Sequence, residues 1–320
     1  MQPKDWAGVS LKLGVVNVYS LTMMLGMLAA ILTVFYFWKR EKYTLDQFGI
    51  IIIIALPTAI IGARTVFVIQ QLIEHKGWTN GAWYHVFFIW EGGLSIHGGV
   101  ITATICVVLY IVFSKNPKKI DLKVAFSIIL PAVLIGQAIG RWGNFANHEV
   151  YGGVMSTDST AYKILPDIIR QHMYINGQYH YPLFLYESCA NLVAYILLVW
   201  VLNKWNWLRP GTTGAMYILY YGIIRFGMEP LREGSYGIYK VISALYIIVG
   251  VLLTIFFEFI IKLNYNVYKI PNFKNPKTHK YFYFIVYEPK VKNKPLTKKQ
   301  REEVKDIYQI ENNQQVNAAK

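Results

Sequence analysis

The sequence predicts an all-α polytopic membrane protein with seven transmembrane helices. Hydrophobic residues make up 54% of its 320 residues and charged residues only 16%, a balance typical of polytopic membrane proteins rather than soluble domains. The apolar residues fall into long uninterrupted runs, which suit helices and not the alternating strands of a membrane barrel. The Lys and Arg residues gather in a few of the segments between those runs.

Seven apolar runs come near the ~20 residues that a helix needs to cross the hydrocarbon core. They cover 15–38, 48–70, 94–114, 124–139, 183–202, 211–228 and 241–261. The fourth run is the shortest and contains Pro131. The first run is too long for a cleaved signal peptide and lacks a small-residue exit, so we interpret it as a retained span.

The distribution of basic residues predicts the orientation. The loops 39–47, 115–123 and 203–210 hold nine Lys or Arg in 26 residues, whereas the segments on the opposite side hold seven in 90. Cytoplasmic loops carry the excess of Lys and Arg. We therefore expect residues 1–262 to form the seven-helix membrane domain, with the N-terminus outside and the C-terminus in the cytoplasm.

Two segments extend beyond the spans. The outward-facing segment 140–182 is too long for a simple connector and is expected to form a small extracytoplasmic cap. The tail 263–320 contains 12 of the 32 Lys and Arg and is polar enough to be partly disordered. Its positive charge is suited to the anionic headgroups of membrane lipids.

Composition argues against two classes of site. Cys106 and Cys189 each lie in an apolar run, and the sequence has no CxxC motif or His/Cys cluster, so we expect neither disulfides nor a structural metal. A basic protein can bind nucleic acid, but outside the tail this chain offers no soluble basic face. We therefore expect no nucleic-acid partner.

Polar residues from six of the spans lie toward the predicted outer leaflet. They are Tyr19, Arg64, His97, Arg141, Asn144, Glu149, Glu187, Asn191, Arg225 and Glu229. A charge at the centre of a bilayer costs about 2.5 to 3.5 kcal/mol on insertion scales, so such groups usually face a polar cavity. The alternative is that Arg and Glu near helix ends reach the interface without any function. Convergence on one leaflet favours a shared polar site.

The sequence leaves two alternative roles open for the pair Arg225 and Glu229, and two for His97. Arg225 and Glu229 are four residues apart, so they share a helix face. Their ion pair is either purely structural or aims the guanidinium at an anion. His97 precedes two glycines and titrates near neutrality, so it is either a general base or a histidine hydrogen-bonded to a neighbouring helix.

The stretch GRWGNFANHEVYG at 140–152, together with several shorter motifs, resembles the prolipoprotein diacylglyceryl transferases of bacteria. The stretch combines glycines and an aromatic residue with the polar Arg141, Asn144, Asn147 and Glu149. Arg141 and Asn144 are three apart and project together if a helical turn persists there. The other motifs that agree in order are Tyr19, GAR at 62–64, HGG at 97–99, LYE at 185–187 and RFGMEPLRE at 225–233.

The resemblance implies a reaction and its partners. Enzymes of this family transfer the sn-1,2-diacylglyceryl group of phosphatidylglycerol to the lipobox cysteine of a preprolipoprotein, and they release glycerol phosphate. This is the first step of bacterial lipoprotein maturation. The resemblance places it at the outer leaflet of the bacterial cytoplasmic membrane and implies no metal or organic cofactor. Expected partners are phosphatidylglycerol, signal peptides with a lipobox cysteine, and membrane lipids.

The resemblance also implies roles for individual residues. The expected catalytic residues are His97, Arg141, Arg225, Glu229 and Tyr19. The expected substrate-binding residues are Arg141, Asn144, Glu149, Gly152, Arg64 and Glu187. Arginine is suited to hold the phosphate and stabilise the leaving group, because a guanidinium binds two oxygens at once. A cysteine thiol with a pKa near ~8.5 needs a base or a positive field to form the thiolate, and His97 is the candidate base.

The sequence departs from the family pattern just before LYE. A His-Pro-Ser-Gln pattern is typical of the family there, whereas this chain has Tyr181, Pro182, Leu183 and Phe184. Any role of the missing histidine is therefore dispensable or is met by another residue, for which His180 is the candidate.

Two other functions fit the same spans. A seven-helix transporter or channel requires polar residues through the whole thickness of the membrane, whereas the predicted inner half is nearly free of them apart from Glu258. A non-catalytic receptor for lipids or signal peptides uses the same outer pocket. Product formation, solute flux and binding without product distinguish the three functions.

Overall fold

The computed structural model describes residues 4–13, 16–73, 93, 95–114, 120–233, 237–260, 265–274 and 281–289. The chain divides into two compact units. The first comprises Met1–Val34 and Lys123–Lys320, and the second comprises Phe35–Leu122.

Helices dominate both units. The helices in chain order are α1 (Val18–Arg40), α2 (Leu45–Ile73), α3 (Ile96–Phe113), α4 (Leu122–Ala146), α5 (Thr160–Ile164), α6 (Asp167–His172), α7 (Leu183–Tyr195), α8 (Thr212–Met228) and α9 (Gly237–Ile255). Irregular helical turns extend three of them, namely the π-helix Ile196–Asn203 after α7, the 3₁₀ turn Glu229–Leu231 after α8 and the π-helix Phe256–Ile260 after α9. The strands are β1 (Lys12–Leu13), β2 (Val16–Asn17), β3 (Tyr174–Ile175), β4 (Gln178–Tyr179), β5 (Tyr265–Lys274) and β6 (Tyr281–Pro289). They form the antiparallel pairs β1–β2, β3–β4 and β5–β6.

Every predicted span overlaps a helix. Among the described residues, five helices are long and apolar enough to cross a membrane: α1, α2, α4, and α7 and α9 with their extensions. The apolar part of α3 is shorter, and α8 has 17 residues. The prediction of an all-α polytopic membrane protein is therefore confirmed, whereas the count of seven spans and their orientation stay predictions.

The fourth helix is longer than predicted. It continues to Ala146 rather than ending near 139, and Pro131 lies inside it. Gly140 and Gly143 are helix-packing residues, because the backbone of α4 passes close to α1 at these positions. A Cβ added to Gly143 would lie 2.6 Å from Thr22 Oγ1. The first turns of the predicted cap are therefore the last turns of a membrane helix.

The same contact continues one and two turns earlier along α4. A Cβ added to Gly140 would lie 3.2 Å from Met23 Sδ, and one added to Gly26 of α1 would lie 2.8 Å from the carbonyl oxygen of Gly136. Small residues allow membrane helices to approach closely. Because lipid tails are as apolar as the side chains, such helices associate through van der Waals contacts rather than through the hydrophobic effect. The α1–α4 contact therefore fixes the start of α1 against the end of α4.

Residues 147–182 follow α4 and make up the rest of the segment predicted as a cap, a name kept here for these residues. They contain α5, α6 and the β3–β4 hairpin, whose turn places Asn176 and Gly177 at positive φ. The cap has its own small core of Met155, Leu165, Ile169, Met173, Ile175 and Phe184. Because Phe184 belongs to α7, this core joins the cap to a membrane helix.

In the second unit, α2 and α3 pack through glycines. A Cβ added to Gly98 would lie 2.4 Å from the carbonyl oxygen of Gly62, and one added to Gly99 would lie 2.9 Å from that of Ala59. The glycines of the GAR and HGG motifs therefore bring two helix backbones together.

A buried polar cluster joins α4, α7 and α8 at the ends opposite residue 141. Thr213 donates to the side chain of Asn203 at 2.7 Å, and the backbone N–H of Gly211 donates to Ser127 Oγ at 2.7 Å. Glu258 accepts the backbone N–H of Arg209 at 3.1 Å. This half of the helices is thus more polar than the sequence predicted, but these groups bond to one another across helix ends.

The basic tail contains an element that its polar composition did not predict. Strands β5 and β6 pair over nine residue positions, with an irregularity between Pro271 and Phe273. The rest of the tail, including 290–320, lies outside the described residues.

Candidate active site

The C-terminal end of α4 carries the first group of predicted site residues. Because the helix persists through residue 146, Arg141 and Asn144 lie on one face, and Arg141 Nη1 donates to Asn144 Oδ1 at 3.2 Å. Asn144 Nδ2 donates in turn to Glu149 Oε1 at 2.7 Å, and the backbone N–H of Glu149 donates to the carbonyl oxygen of Asn144 at 3.0 Å. The structure brings these three side chains together.

Glu187 of α7 joins this group to a residue that the sequence analysis did not select. Its carboxylate is 4% exposed and lies between two guanidinium groups. One oxygen pairs with Arg141 Nη2, and the other accepts a hydrogen bond from Arg232 Nη2 at 2.8 Å. A buried carboxylate is stable when charged groups pair with both of its oxygens.

Arg232 could have been found from the sequence, because it lies within the RFGMEPLRE motif. The sequence analysis did not select it because it follows the end of the predicted helix, where an arginine is usually a solvated loop residue. The 3₁₀ turn Glu229–Leu231 brings it back toward the helices. Its Nε atom is buried and has no hydrogen-bond partner among the described residues, which leaves a donor available to a bound anion.

The sixth predicted span contributes the expected ion pair. Arg225 Nη2 lies 3.1 Å from Glu229 Oε2, one helical turn apart, and Glu229 is 1% exposed. The guanidinium of Arg225 also lies over the ring of Tyr239 on α9, 5.2 Å from its centroid. Arg141 is close enough to both Arg225 and Arg232 for their charges to interact. Arginines from α4, α8 and the turn after α8 therefore converge.

Tyr19 begins α1 beside this group. Its backbone N–H donates to Asn17 Oδ1 at 2.9 Å, and its ring lies against Gly143 of α4. Tyr19 interacts electrostatically with both Glu149 and Arg141. The structure thus brings Tyr19 together with the signature residues, as predicted.

Gly152 positions the loop that follows Glu149. It pairs with Arg232 in an isolated β-bridge, and its N–H donates to the carbonyl oxygen of Tyr181 at 2.9 Å. A Cβ there would lie 2.9 Å from Tyr181 Cβ and 3.1 Å from the carbonyl oxygen of Leu231. Gly152 therefore contributes close backbone packing next to Arg232.

The segment that departs from the family pattern serves packing. Pro182 precedes the first turn of α7, and Phe184 stacks on Phe145 with ring centroids 4.5 Å apart. His180 is 2% exposed, and its Nδ1 lies 2.8 Å from the carbonyl oxygen of Gly152 and 3.1 Å from Glu233 Oε2. His180 therefore holds the Gly152 loop.

A tyrosine of α8 adds a neighbour that the sequence analysis also missed. Tyr220 donates its hydroxyl to Asn191 Oδ1 at 3.0 Å and interacts electrostatically with Glu187. No spacing in α8 indicated this residue, because Tyr220 and Arg225 are five apart and therefore face different sides of the helix.

Arg64 and His97 belong to the second unit. Arg64 is buried there and donates from Nη1 to the carbonyl oxygen of Gly93 at 3.1 Å, with its guanidinium 5.5 Å from the ring centroid of Phe67. His97 lies in the first turn of α3, but its side chain is outside the described residues. The roles assigned to these two residues stay predictions.

Comparison with known proteins identifies the family. Residues 8–256 match the family model of prolipoprotein diacylglyceryl transferase. The chain is 44% identical over 253 residues to the phosphatidylglycerol–prolipoprotein diacylglyceryl transferase of Mycoplasmopsis pulmonis, an alignment covering 76% of this chain and 77% of the relative. Proteins with the same name from Oceanobacillus iheyensis and Streptococcus uberis are 37% and 35% identical over 259 and 243 residues. These alignments cover 78% and 74% of this chain and 87% and 89% of the relatives. The chain therefore belongs to the prolipoprotein diacylglyceryl transferase family.

Proposed function

We propose that this chain transfers the diacylglyceryl group of phosphatidylglycerol to the lipobox cysteine of preprolipoproteins and releases glycerol phosphate. Family membership supports the reaction class, since the matched relatives are named for these two substrates. The observation that carries the assignment of the site is the convergence of Arg141, Arg225 and Arg232 around buried Glu187 and Glu229. A phosphodiester is the part of the lipid that such a cluster suits.

The reaction forms one carbon–sulfur bond and breaks one carbon–oxygen bond. The thiol gives its proton to a base, and the thiolate sulfur attacks the glycerol carbon that carries the phosphate. The bonding electrons leave with the phosphate oxygen, so the diester becomes a monoester with an additional negative charge. Groups that stabilise this developing charge lower the barrier, because they bind the transition state more strongly than the substrate.

Arg141 and Arg225 are the proposed phosphate ligands. Glu187 pairs with Arg141, and Glu229 pairs with Arg225. Each pairing orients a guanidinium group before the substrate arrives. Arg232 holds the second oxygen of Glu187, and its unpartnered Nε is a further donor for the phosphate.

The remaining roles follow the positions of the other predicted residues. Asn144 and Glu149 orient the glycerol hydroxyls of the headgroup, because an amide and a carboxylate supply the acceptors that hydroxyl groups need. Gly152 keeps the loop close to Arg232, and Tyr19 borders the headgroup. His97 is proposed as the base and Arg64 as a further headgroup ligand.

The proposed membrane arrangement has seven spans within 1–262, an external N-terminus and a cytoplasmic tail at 263–320. In this arrangement the arginine cluster lies at the outer leaflet of the bacterial cytoplasmic membrane. The positive-inside bias of the loops supports this orientation.

The test is to incubate the purified chain with phosphatidylglycerol vesicles and a lipobox peptide. Diacylglyceryl-peptide formed together with glycerol phosphate is the expected result. Binding of both substrates without product would favour a receptor, and solute flux through proteoliposomes without product would favour a transporter. A peptide with serine in place of the cysteine is the matched control, because it retains the signal sequence and lacks the thiol.

A further inference from the structure

The turn that carries Glu149 has an unfavourable backbone. His148 and Val150, on either side of Glu149, have φ values of 53° and 58°. Side chains other than glycine and asparagine rarely adopt this left-handed region, and for a β-branched residue such as Val150 it is unusual. Such a backbone persists only where the surrounding structure holds it.

The residues that hold this turn come from the segment Lys4–Leu13, which we name the N-terminal strap. Three successive strap residues bond to three successive residues of the turn, in antiparallel order. The pairs are Leu11 N–H to the carbonyl oxygen of Ala146 at 2.8 Å, Ser10 Oγ to Asn147 Oδ1 at 2.7 Å, and His148 Nδ1 to the carbonyl oxygen of Val9 at 2.6 Å. The strap therefore contacts the last backbone carbonyl of α4 and the two side chains immediately before Glu149.

The outer end of the strap is anchored to the cap. Asp5 accepts the backbone N–H groups of Asn176 and Gly177, each at 3.0 Å, in the β3–β4 turn. The N–H of Trp6 donates to the carbonyl oxygen of Tyr174 at 3.1 Å. The backbone N–H of Ala7, followed by those of Asn176 and Gly177, lowers the pKa of the Asp5 carboxyl, so it is charged near neutral pH.

Trp6 completes the attachment by stacking on two histidines. Its ring lies 4.9 Å from the ring of His148 and 4.2 Å from that of His172 on α6. His148 Nε2 is also 3.0 Å from His172 Nδ1. Because the carbonyl of Val9 can only accept, His148 Nδ1 carries the proton, which leaves Nε2 to accept from His172.

We propose that the N-terminal strap is a positioning element for transfer, which holds Glu149 and through it Asn144 and Arg141 in their working geometry. The contacts form a continuous path. The strap contacts residues 146–148, and the strained turn leads from them to Glu149. Glu149 accepts a hydrogen bond from Asn144 at 2.7 Å, and Asn144 accepts one from Arg141 at 3.2 Å. The proposal rests on the proposed role of Glu149 in headgroup binding.

The exposed Asp5 provides the test, because its removal leaves the apolar core intact. In Asp5→Ala we expect faster hydrogen–deuterium exchange at residues 146–150. We also expect kcat to fall about tenfold with KM for phosphatidylglycerol changing less, within the ~10²-fold that a 1 Å displacement can cost. Asp5→Asn keeps an acceptor for one N–H and should restore most of kcat. Asp158→Ala is the control, since it removes an exposed cap carboxylate that accepts no hydrogen bond among the described residues.

The outcomes separate this proposal from the one on which it rests. Faster exchange at 146–150 with unchanged kcat would overturn the strap as a positioning element while leaving the site intact. Unchanged exchange in Asp5→Ala would also overturn it, as would a loss of kcat that matches the loss of folded protein. Full activity in Glu149→Gln would instead remove the proposed role of Glu149.

Discussion

Glu187 sets the geometry of two guanidinium groups at once. Its carboxylate oxygens pair separately with Arg141 and Arg232, and it is almost fully buried. Without this carboxylate, two positive charges would face each other in a place where water screens them poorly. The arrangement explains why an acidic residue lies in the first half of α7.

Replacing Glu187 by glutamine tests this dependence. Glu187→Gln keeps the size of the side chain but removes the charge, so Arg141 and Arg232 lose their common partner. We expect kcat/KM for diacylglyceryl transfer to fall by about 10²-fold. The free energy of unfolding should fall by about 3 kcal/mol, because breaking a buried pair leaves uncompensated charge. Both are measured on purified protein, by product formation and by thermal unfolding.

Glu233→Gln is the matched control for this prediction. Glu233 lies next to Arg232 but its side chain is 52% exposed, and its contact is to His180. Its replacement should leave transfer within about twofold of the parent rate, as is usual for an exposed pair. Equal losses in both variants would contradict a special role for Glu187.

At the scale of elements, the strap and cap meet through a pair of neutral histidines. Burial lowers the pKa of His148, with Lys4 acting in the same direction, while its bond to Val9 acts against the shift. Burial, His148 and Lys4 lower the pKa of His172. Lys4 is the charged group facing the pair, with its Nζ 3.9 Å from the centroid of the Trp6 ring.

The pH dependence of the strap follows from these directions. Since both pKa values are lower when the strap is attached, protonation favours its release. Attachment is therefore complete above the ordinary histidine pKa of 6.5 and weakens as the pH falls below it. Hydrogen–deuterium exchange at residues 4–11, measured relative to the intrinsic exchange rate at each pH, should accelerate as the pH falls from about 6.5 to 5.

His172→Gln checks which groups cause this acceleration. A glutamine amide can still donate to His148 Nε2 but does not titrate, so the pH dependence should become shallower. An unchanged profile would mean that other groups control release of the strap.

The α1–α4 contact gives a second prediction at this scale. Gly26→Ala places a methyl group 2.8 Å from the carbonyl oxygen of Gly136, so the helices must separate. We expect the free energy of unfolding to fall by about 1–3 kcal/mol, as in other overpacked sites. Thermal unfolding in detergent measures it. Gly49→Ala in α2, where no atom lies within 4 Å of the added group, is the control and should be neutral or stabilising.

At the scale of the whole molecule, the orientation is open to direct measurement. With Cys106 and Cys189 replaced by serine, single cysteines at Asp158 in the cap and at Lys204 after α7 report the two sides. A membrane-impermeant thiol reagent should label Asp158→Cys in intact cells and Lys204→Cys only after lysis. The reverse pattern would contradict the positive-inside assignment.

The sequence alone predicted the helices and most of the site, because both have local signals. Apolar runs marked the seven long helices but not α5 and α6, and the spacing of Arg141 and Asn144, and of Arg225 and Glu229, predicted their contacts. The packing role of Gly143 could not be told from the sequence, since a glycine that allows close helix packing looks the same as one that ends a helix. Which of these two roles a glycine has depends on the residue opposite it, and Thr22 of α1 lies opposite Gly143.

Arg232 and the strap were missed for a related reason. Arg232 is placed by a 3₁₀ turn that brings it back to Glu187, and Asp5 meets residues 176 and 177 far along the chain. No periodicity in the sequence encodes such contacts, because they depend on tertiary folding. The β5–β6 pair was likewise hidden within a polar, basic tail.

The cluster contains equal numbers of acidic and basic groups, and this balance affects release of the product. Arg141, Arg225 and Arg232 are matched by Glu149, Glu187 and Glu229. A phospholipid diester brings one negative charge, but the departing monoester carries close to two at neutral pH. Because the described side chains of this cluster carry no surplus positive charge, water competes better for the product than for the lipid, so free glycerol phosphate should inhibit turnover only weakly.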